Sequence, residues 1–458
     1  MKDWNGKRIL ILGAARQGLA LARWLSLHGA RVTLSDMRSE ADLHVAHESL
    51  AEYPIHWALG GHPLELLDST DVLCLSGGVP LTLPIVAEAV KRGIPLSNDS
   101  QIFMEAVPCR TIGITGSAGK TTTTTLVGSM AKSAYGDKAF VGGNIGDPLI
   151  NYVDNMKDDD IAILELSSFQ LDQMTISPNV AAILNITPNH LDRHGTMEAY
   201  TAAKARILEF QSKTDAVVLG RDDKGAWSLQ NKVRGKLYAF SLGELEEGLN
   251  GAYLHDDVLN LREGKATLPL MRREKVSLRG DHNVSNMLAA FTIGCAADFP
   301  LNAMREAAKE FRGVPHRLEL VRELRGVRWY NDSIATAPER SMAAIRAFEE
   351  PIVLLLGGRD KDLPWDELMY LVRERVDHVV LFGEAAEKIE ETAENFGLHQ
   401  NSSTIVRVSG LHDAIRKAAE LAESGDIVLL SPGGTSFDEF RDFEERGERF
   451  REWVLELS

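Results

Sequence analysis

The chain has 458 residues, of which 44% are apolar and 25% charged, with a formal net charge of −16. That length exceeds what one hydrophobic core supports and calls for about three domains of ordinary globular composition. The acidic balance argues against a protein that holds nucleic acid through broad phosphate contacts, while leaving room for a local basic pocket.

Taken in chain order, Arg8–Leu12 (Arg-Ile-Leu-Ile-Leu) reads as a buried strand. It leads into Gly13-Ala14-Ala15-Arg16-Gln17-Gly18 and a helix through Leu27. A second strand at 31–34 ends at Ser35-Asp36, and a third at 71–75 ends at Ser76-Gly77-Gly78-Val79-Pro80 before a helix at 83–91. Strands alternating with helices predict a parallel, doubly wound sheet whose ligand crevice lies outside the strands' carboxyl ends. The first loop resembles a dinucleotide fingerprint with Ala15 in place of the middle glycine, Asp36 as the acid further on, and Arg16 as a phosphate contact. A nucleotide-phosphate site, an NAD site and a plain tight turn all remain open there.

After a boundary near Ala106-Val107-Pro108-Cys109, an apolar stretch runs into Gly116-Ser117-Ala118-Gly119-Lys120-Thr121-Thr122 and a helical pattern at 121–132. This shortened G-x-x-G-K-T has the ingredients of a phosphate loop. Two glycines permit the turn, Lys120 reaches the β/γ-phosphates, and Thr121 offers a hydroxyl to Mg²⁺. Strands follow at 161–166, 180–184 and 216–219, then a hairpin-like insertion at 251–270 and a helix at 283–297. Glu165 ends one strand, where a carboxylate beside the loop is suited to Mg²⁺. His190 lies just past the next, in Asn185-Ile186-Thr187-Pro188-Asn189-His190, and Lys204 on a helix in Ala202-Ala203-Lys204. Past a second boundary near Arg312-Gly313-Val314-Pro315, strands at 352–356, 378–381 and 427–430 alternate with helices in another open sheet.

The cysteines, Cys74, Cys109 and Cys295, are few and distant, so neither a disulfide framework nor a zinc site is expected. The start of the chain carries no signal-peptide pattern and no apolar run approaches about 18 residues, so a cytoplasmic protein is expected.

The loop, Glu165-Leu166-Ser167-Ser168-Phe169-Gln170, the His190 run, Lys204, Gly280-Asp281-His282-Asn283-Val284-Ser285-Asn286 and Pro315-His316-Arg317 stand in the order and approximate spacing of the Mur ligases, which the whole chain resembles. That family comprises ATP-dependent amide-forming enzymes of peptidoglycan synthesis. The resemblance implies three α/β domains, each an open, mainly parallel sheet with flanking helices. These are a Rossmann-like, UDP-substrate-binding domain at 1–107, a P-loop ATPase domain at 108–313 and a Rossmann-like, amino-acid-binding domain at 314–458.

Within the family, Gly143-Asn144-Ile145-Gly146, Gly357-Gly358-Arg359-Asp360-Lys361 and Ser431-Pro432-Gly433-Gly434-Thr435-Ser436-Phe437 resemble the branch that joins D-glutamate to UDP-N-acetylmuramoyl-L-alanine. ATP, two Mg²⁺ ions, both substrates and a monomer are implied. The resemblance assigns ATP to Gly116, Ser117, Ala118, Gly119, Lys120, Thr121, Thr122, Asn283, Asn286, Arg317 and Asp332. It assigns the UDP-linked substrate to Ala15, Arg16, Ser35, Asp36, Arg38, Ser76, Gly77, Gly78 and Asn144. Thr336, Lys361, Ser436 and Phe443 would hold the amino acid. Lys120, Glu165, His190 and Lys204 would be catalytic, with Thr121, Glu165, His190 and a carbamylated Lys204 at the metals. Two departures stand out: Ile334 where the family usually has lysine, and Gly77 where proline is more frequent. The missing cation is either lost or supplied by another residue such as Arg340 or Arg359. The same ligase chemistry with L-glutamate or another amino acid, and a nucleotide-binding regulatory protein, are the alternatives.

Overall fold

The computed structural model describes residues 3–278, 280–361, 363–397 and 404–458. The chain divides after Phe311 into two compact units, which contain three α/β domains.

The first sheet has five parallel strands, β1 (Arg8–Leu12), β2 (Arg31–Asp36), β3 (Ile55–Leu59), β4 (Val72–Leu75) and β5 (Leu96–Ser97), in the order β3-β2-β1-β4-β5. β1 sits at its centre, which is why four of its five residues are buried and read as a continuous apolar run. β3 is an edge strand with no fully buried residue, so the sequence offers no apolar run to mark it.

The second sheet has six parallel strands in the order β11-β10-β9-β6-β8-β7. They are β6 (Arg110–Thr115), β7 (Ala139–Gly143), β8 (Ile161–Glu165), β9 (Val180–Ile183), β10 (Ala216–Gly220) and β11 (Lys236–Phe240). Trp24, Ile102 and Phe103 from the first domain pack in one hydrophobic cluster with Leu149, Leu164 and Ile183 from the second. Polar ties cross the same seam: Trp24 Nε1 donates to Asp154, and Asn98 Nδ2 to Gln170 O at 2.9 Å. A shared core of this kind makes both domains parts of one unit.

The insertion at 251–270 differs from a two-stranded hairpin. It is a three-stranded antiparallel meander of β12 (Gly251–His255), β13 (Val258–Glu263) and β14 (Ala266–Arg272). β14 begins with four exposed residues and contains Pro269, both compatible with an edge, and so lacks a strand's apolar signature.

The second unit is a six-stranded sheet in the order β15-β16-β20-β17-β18-β19. Its strands are β15 (Glu319–Leu324), β16 (Val327–Asn331), β17 (Ile352–Gly357), β18 (His378–Phe382), β19 (Thr404–Arg407) and β20 (Ile427–Gly433), of which only β15 runs antiparallel. Chain order thus differs from spatial order: the last strand is inserted between β16 and β17, and the loops leaving these three strands open on the same edge.

Candidate active site

The segment 116–119 turns from β6 into the helix Lys120–Tyr135. Gly119 sits in the left-handed region with φ 80°, and a Cβ there would overlap Asn286 Oδ1. The helix has no side-chain cap, so its first N–H groups are available to an anion. Asn185 clamps the loop: its backbone O accepts from Ser117 N at 2.9 Å, its side chain accepts from Ala118 N at 2.8 Å, and its amide donates to Ala118 O at 3.1 Å. Ser117 Oγ donates to Thr187 O at 2.9 Å and lies 3.0 Å from the Tyr200 hydroxyl.

Two lysines converge on this loop. Lys120 Nζ donates to Gly116 O at 2.8 Å and Ser117 O at 3.3 Å. Lys204, 1% exposed, donates to the same Gly116 O at 2.9 Å and to Thr115 Oγ1 at 3.3 Å, with its amine 4.7 Å from the centre of the Tyr200 ring. Burial and the charge of Lys120 push the Lys204 amine down to about 7, against the pull of Glu165.

Glu165, at the end of β8 and 2% exposed, accepts from Thr121 Oγ1 at 2.9 Å and from Asn144 Nδ2 at 3.0 Å. Among the described residues no three His, Cys, Asp or Glu side chains gather into a metal cluster. One carboxylate with one hydroxyl beside a phosphate loop is nevertheless a donor set suited to Mg²⁺, which completes its octahedron with phosphate oxygens and water. A protonated Lys204 would repel a cation and Mg²⁺ prefers oxygen donors to an amine, so an oxygen-bearing carbamate on Lys204 would suit a second ion better than the amine itself.

His190 follows β9 with φ 52°, a left-handed conformation uncommon outside glycine. Its ring stands edge-on to Phe169 at 5.4 Å, and Phe169 stacks on His194 at 4.9 Å. His194 Nε2 lies 2.9 Å from Ser168 Oγ. Arg193 covers Phe169 at 4.0 Å and donates to Val79 O at 3.0 Å, tying this segment to the first domain. On the helix Asp281–Ala296, Asn286 Nδ2 donates to Asn283 Oδ1 at 3.2 Å, and Thr123 Oγ1 to Asn286 Oδ1 at 3.4 Å. Lys120, Thr121, Glu165, Lys204 and Asn286 therefore surround one loop.

In the first domain Asp36 accepts four hydrogen bonds, from Ala14 N at 2.7 Å and from Arg38 N, Nε and Nη2 at 2.9 to 3.0 Å. Burial raises its pKa, but the Arg38 and Ala14 bonds outweigh it and hold the carboxyl at about 2. With its oxygens so occupied, Asp36 ties the 13–18 loop to β2 rather than offering an open acceptor for a dinucleotide ribose. Ser35 Oγ donates to Gly61 O and lies 2.7 Å from His62 Nδ1, while Ser76 Oγ donates to Gly13 O at 2.9 Å. Ala15 and Arg16 are exposed at the start of the helix Arg16–Leu27, and Gly77 and Gly78 line open space. Asn144, assigned to the UDP-linked substrate by resemblance, bonds to Glu165 through both side chain and backbone.

In the second unit the loops after β16, β17 and β20 carry Thr336, Lys361 and Ser436. Lys361 Nζ is 3.4 Å from Thr336 Oγ1, and Ser436 is buried. Arg446, fully buried, donates to Ser333 Oγ, Ser333 O and Gly434 O, and so ties two of those loops together. Phe443 begins the helix Phe443–Glu456, with its ring centre 6.3 Å from that of His316. Asp332 accepts from Ser431 Oγ at 2.9 Å and Leu318 N at 3.2 Å, and Arg317 is exposed nearby in sequence.

The loop clamp formed by Asn185, Thr187 and Tyr200 had no assigned role at the level of sequence. The available signal was the position of Asn185 and Thr187 just beyond a strand adjacent to the phosphate loop.

Three family models match in chain order: the MurD-like N-terminal domain of Mur ligases at residues 7–98, the Mur ligase middle domain at 114–294, and the Mur ligase glutamate ligase domain at 316–434. The UDP-N-acetylmuramoylalanine–D-glutamate ligase of Symbiobacterium thermophilum is 40% identical over 99% of this chain and 98% of its own. That of Koribacter versatilis is 39% identical over 100% and 99%. Two crystal structures share the fold: UDP-N-acetylmuramate-alanine ligase MurC from Thermotoga maritima (TM-score 0.52, 19% identity, 97% of this chain and 98% of that one) and MurF from Acinetobacter baumannii (0.53, 16%, 98% and 94%). The chain belongs to the Mur ligase family.

Proposed function

We propose that this Mur ligase joins D-glutamate to UDP-N-acetylmuramoyl-L-alanine at the expense of ATP, in the cytoplasmic synthesis of peptidoglycan precursors. The observation that carries the reading is full-length similarity, near 40%, to relatives bearing that activity in their names, with all three family models in order. Among the described residues no helix is long and apolar enough to cross a membrane, and a monomer is what the resemblance implies.

A carboxylate resists attack by an amine because its leaving group would be oxide. Transfer of the γ-phosphoryl group of ATP to the terminal carboxylate of UDP-N-acetylmuramoyl-L-alanine gives an acyl phosphate and ADP. The glutamate amine attacks the acyl carbon, a proton leaves the nitrogen, and phosphate departs as the amide forms.

In this reading Lys120 and the first-turn N–H groups hold the β- and γ-phosphates and spread charge as two anions converge. Gly116 to Thr122 would cradle the triphosphate, with Asn283 and Asn286 beside the nucleotide; Arg317 and Asp332 are assigned to ATP by the resemblance alone. Thr121 and Glu165 would hold one Mg²⁺, and His190 with carbamylated Lys204 a second; the ions supply charge neutralisation at the transferring phosphoryl group. A Lys204 amine near neutral pKa supports carbamylation, which requires the uncharged form. Ser35, Asp36, Arg38 and Ser76 to Gly78 would line the uridine nucleotide, with Ala15, Arg16 and Asn144. Thr336, Lys361, Ser436 and Phe443 would receive glutamate.

Phosphate release from ATP, measured with UDP-N-acetylmuramoyl-L-alanine and D-glutamate, L-glutamate or neither, tests the proposal. Release that depends on D-glutamate supports it. Release with L-glutamate alone overturns the substrate, and release with neither amino acid overturns the ligation.

A further inference from the structure

The second unit holds a group of cations at the loops after β16, β17 and β20, of which Arg446 has Asp438 and Glu439 nearby and Arg340 has the buried Asp332. Arg340 lies on the helix Pro338–Ile345 and donates from Nη1 to Ile334 O at 3.1 Å, which turns its exposed guanidinium back over the 332–336 loop. Lys361 reaches Thr336 in that loop. Arg340 and Arg446 both act on Lys361, whose pKa burial and these two charges lower. Among the described residues no carboxylate pairs with Arg340 or Lys361. Arg359, two residues after β17, is by contrast bonded to Glu384 through two bonds of 2.8 and 2.9 Å. Arg340 and Lys361 thus stand over one loop with only the buried Asp332, whose own pKa burial pushes up, acting on Arg340, an arrangement that suits a ligand with more than one negative group.

We propose that Arg340 is a specificity-determining residue of the amino-acid pocket: its guanidinium binds one carboxylate of the incoming glutamate while Lys361 binds the other. The inference rests on the ligase reading above and adds the residue that selects a dicarboxylic amino acid. An arginine suits the task because its planar fork meets a carboxylate with two parallel bonds, and its charge does not depend on pH. It also answers the departure at Ile334, since the loop carbonyl of Ile334 anchors the cation that residue 334 itself does not supply. Arg359 is excluded from that duty by Glu384.

The test is steady-state kinetics of phosphate release with R340A, R340K and R359A, varying D-glutamate and, separately, D-glutamine, which lacks the second carboxylate. R340A is expected to raise the KM for D-glutamate by about 10- to 100-fold, the loss of one charged hydrogen-bonded pair. Its KM values for ATP and UDP-N-acetylmuramoyl-L-alanine should stay unchanged, and R340K should fall between. The preference for D-glutamate over D-glutamine should shrink by the same factor in R340A and remain in R359A. An unchanged KM for D-glutamate in R340A overturns the proposal. So does an equal loss for both amino acids, which would mean that Arg340 only braces the loop. A wild-type enzyme that ignores D-glutamate would bring down the ligase reading and this inference with it, whereas a D-glutamate-dependent wild type with an indifferent R340A would bring down this inference alone.

Discussion

Lys120 and Lys204, 84 positions apart in the chain, donate to the same carbonyl oxygen, that of Gly116, at 2.8 and 2.9 Å. Two ammonium groups on one acceptor repel, and Lys204 is the more deeply buried, so it is the one whose proton is destabilised. Burial, with the charge of Lys120 added to it, thus biases Lys204 towards the neutral amine.

This relationship makes Lys204 chemistry-sensitive in a way that simple removal of bulk does not capture. K204A and K204R should both lower D-glutamate-dependent phosphate release by at least about 100-fold, the scale of losing a group that stabilises transition-state charge. Arginine fails because it cannot become neutral. ATP affinity, measured by calorimetry, should change little in K204A. A K204R enzyme with near wild-type turnover would remove the neutral amine from the argument.

Gly119 is required twice, by its φ of 80° and by Asn286 against its missing Cβ. G119A should cost about 1–2 kcal/mol for the left-handed backbone and more for the overlap, visible as a lowered urea midpoint and weakened ATP binding. Gly77 has neither constraint, since nothing lies within 4 Å of a Cβ there and its φ is not positive. G77A should fold with stability within about 0.5 kcal/mol of wild type.

Gly447 lies inside the helix Phe443–Glu456, where alanine would ordinarily add about 1 kcal/mol of stability. A Cβ at 447 would instead run into the imidazole of His316. G447A should therefore destabilise by about 1–3 kcal/mol, and H316A should relieve most of that cost in the double mutant. Additive losses in a thermal-denaturation cycle would mean that the contact is not the cause.

Asp332 gives the fold a pH dependence. Burial pushes its pKa up to about 7, against the hydrogen bonds from Ser431 and Leu318 and the charges of Arg317 and Arg340. The folded state therefore prefers the protonated acid, and the associated stability is complete below about pH 4, the unfolded value. It is lost as pH rises through about 7, at up to about 1.4 kcal/mol per pH unit. D332N removes the titrating group. Between pH 5 and pH 7 urea unfolding should show a smaller fall in stability for D332N than for wild type, and parallel curves would refute the assignment.

The reading from the amino acids went furthest where chemistry is contiguous. The 116–122 loop, the buried runs of β1, β8 and β20 and the residues that end them are each written within a few positions, so glycine, lysine and apolar periodicity suffice to find them. β3 and β14 escaped because edge strands bury little and carry no apolar run. The bond from the Asn144 amide to Glu165 depends on the pairing of β7 with β8 and is not written in either segment alone.

Sequence alone determined the phosphate-loop motif, the alternation of strand and helix, and the family to which the order of motifs belongs, because each depends on neighbours in the chain. Tertiary structure decided what depends on distance. It inserted β20 between β16 and β17, brought Asn185 and Tyr200 to the phosphate loop, put two lysines on one carbonyl and set Arg340 close enough to Lys361 to lower its pKa. Strand order and burial arise from contacts between segments far apart in the chain, and a buried amine's charge depends on those contacts rather than on its own residue type.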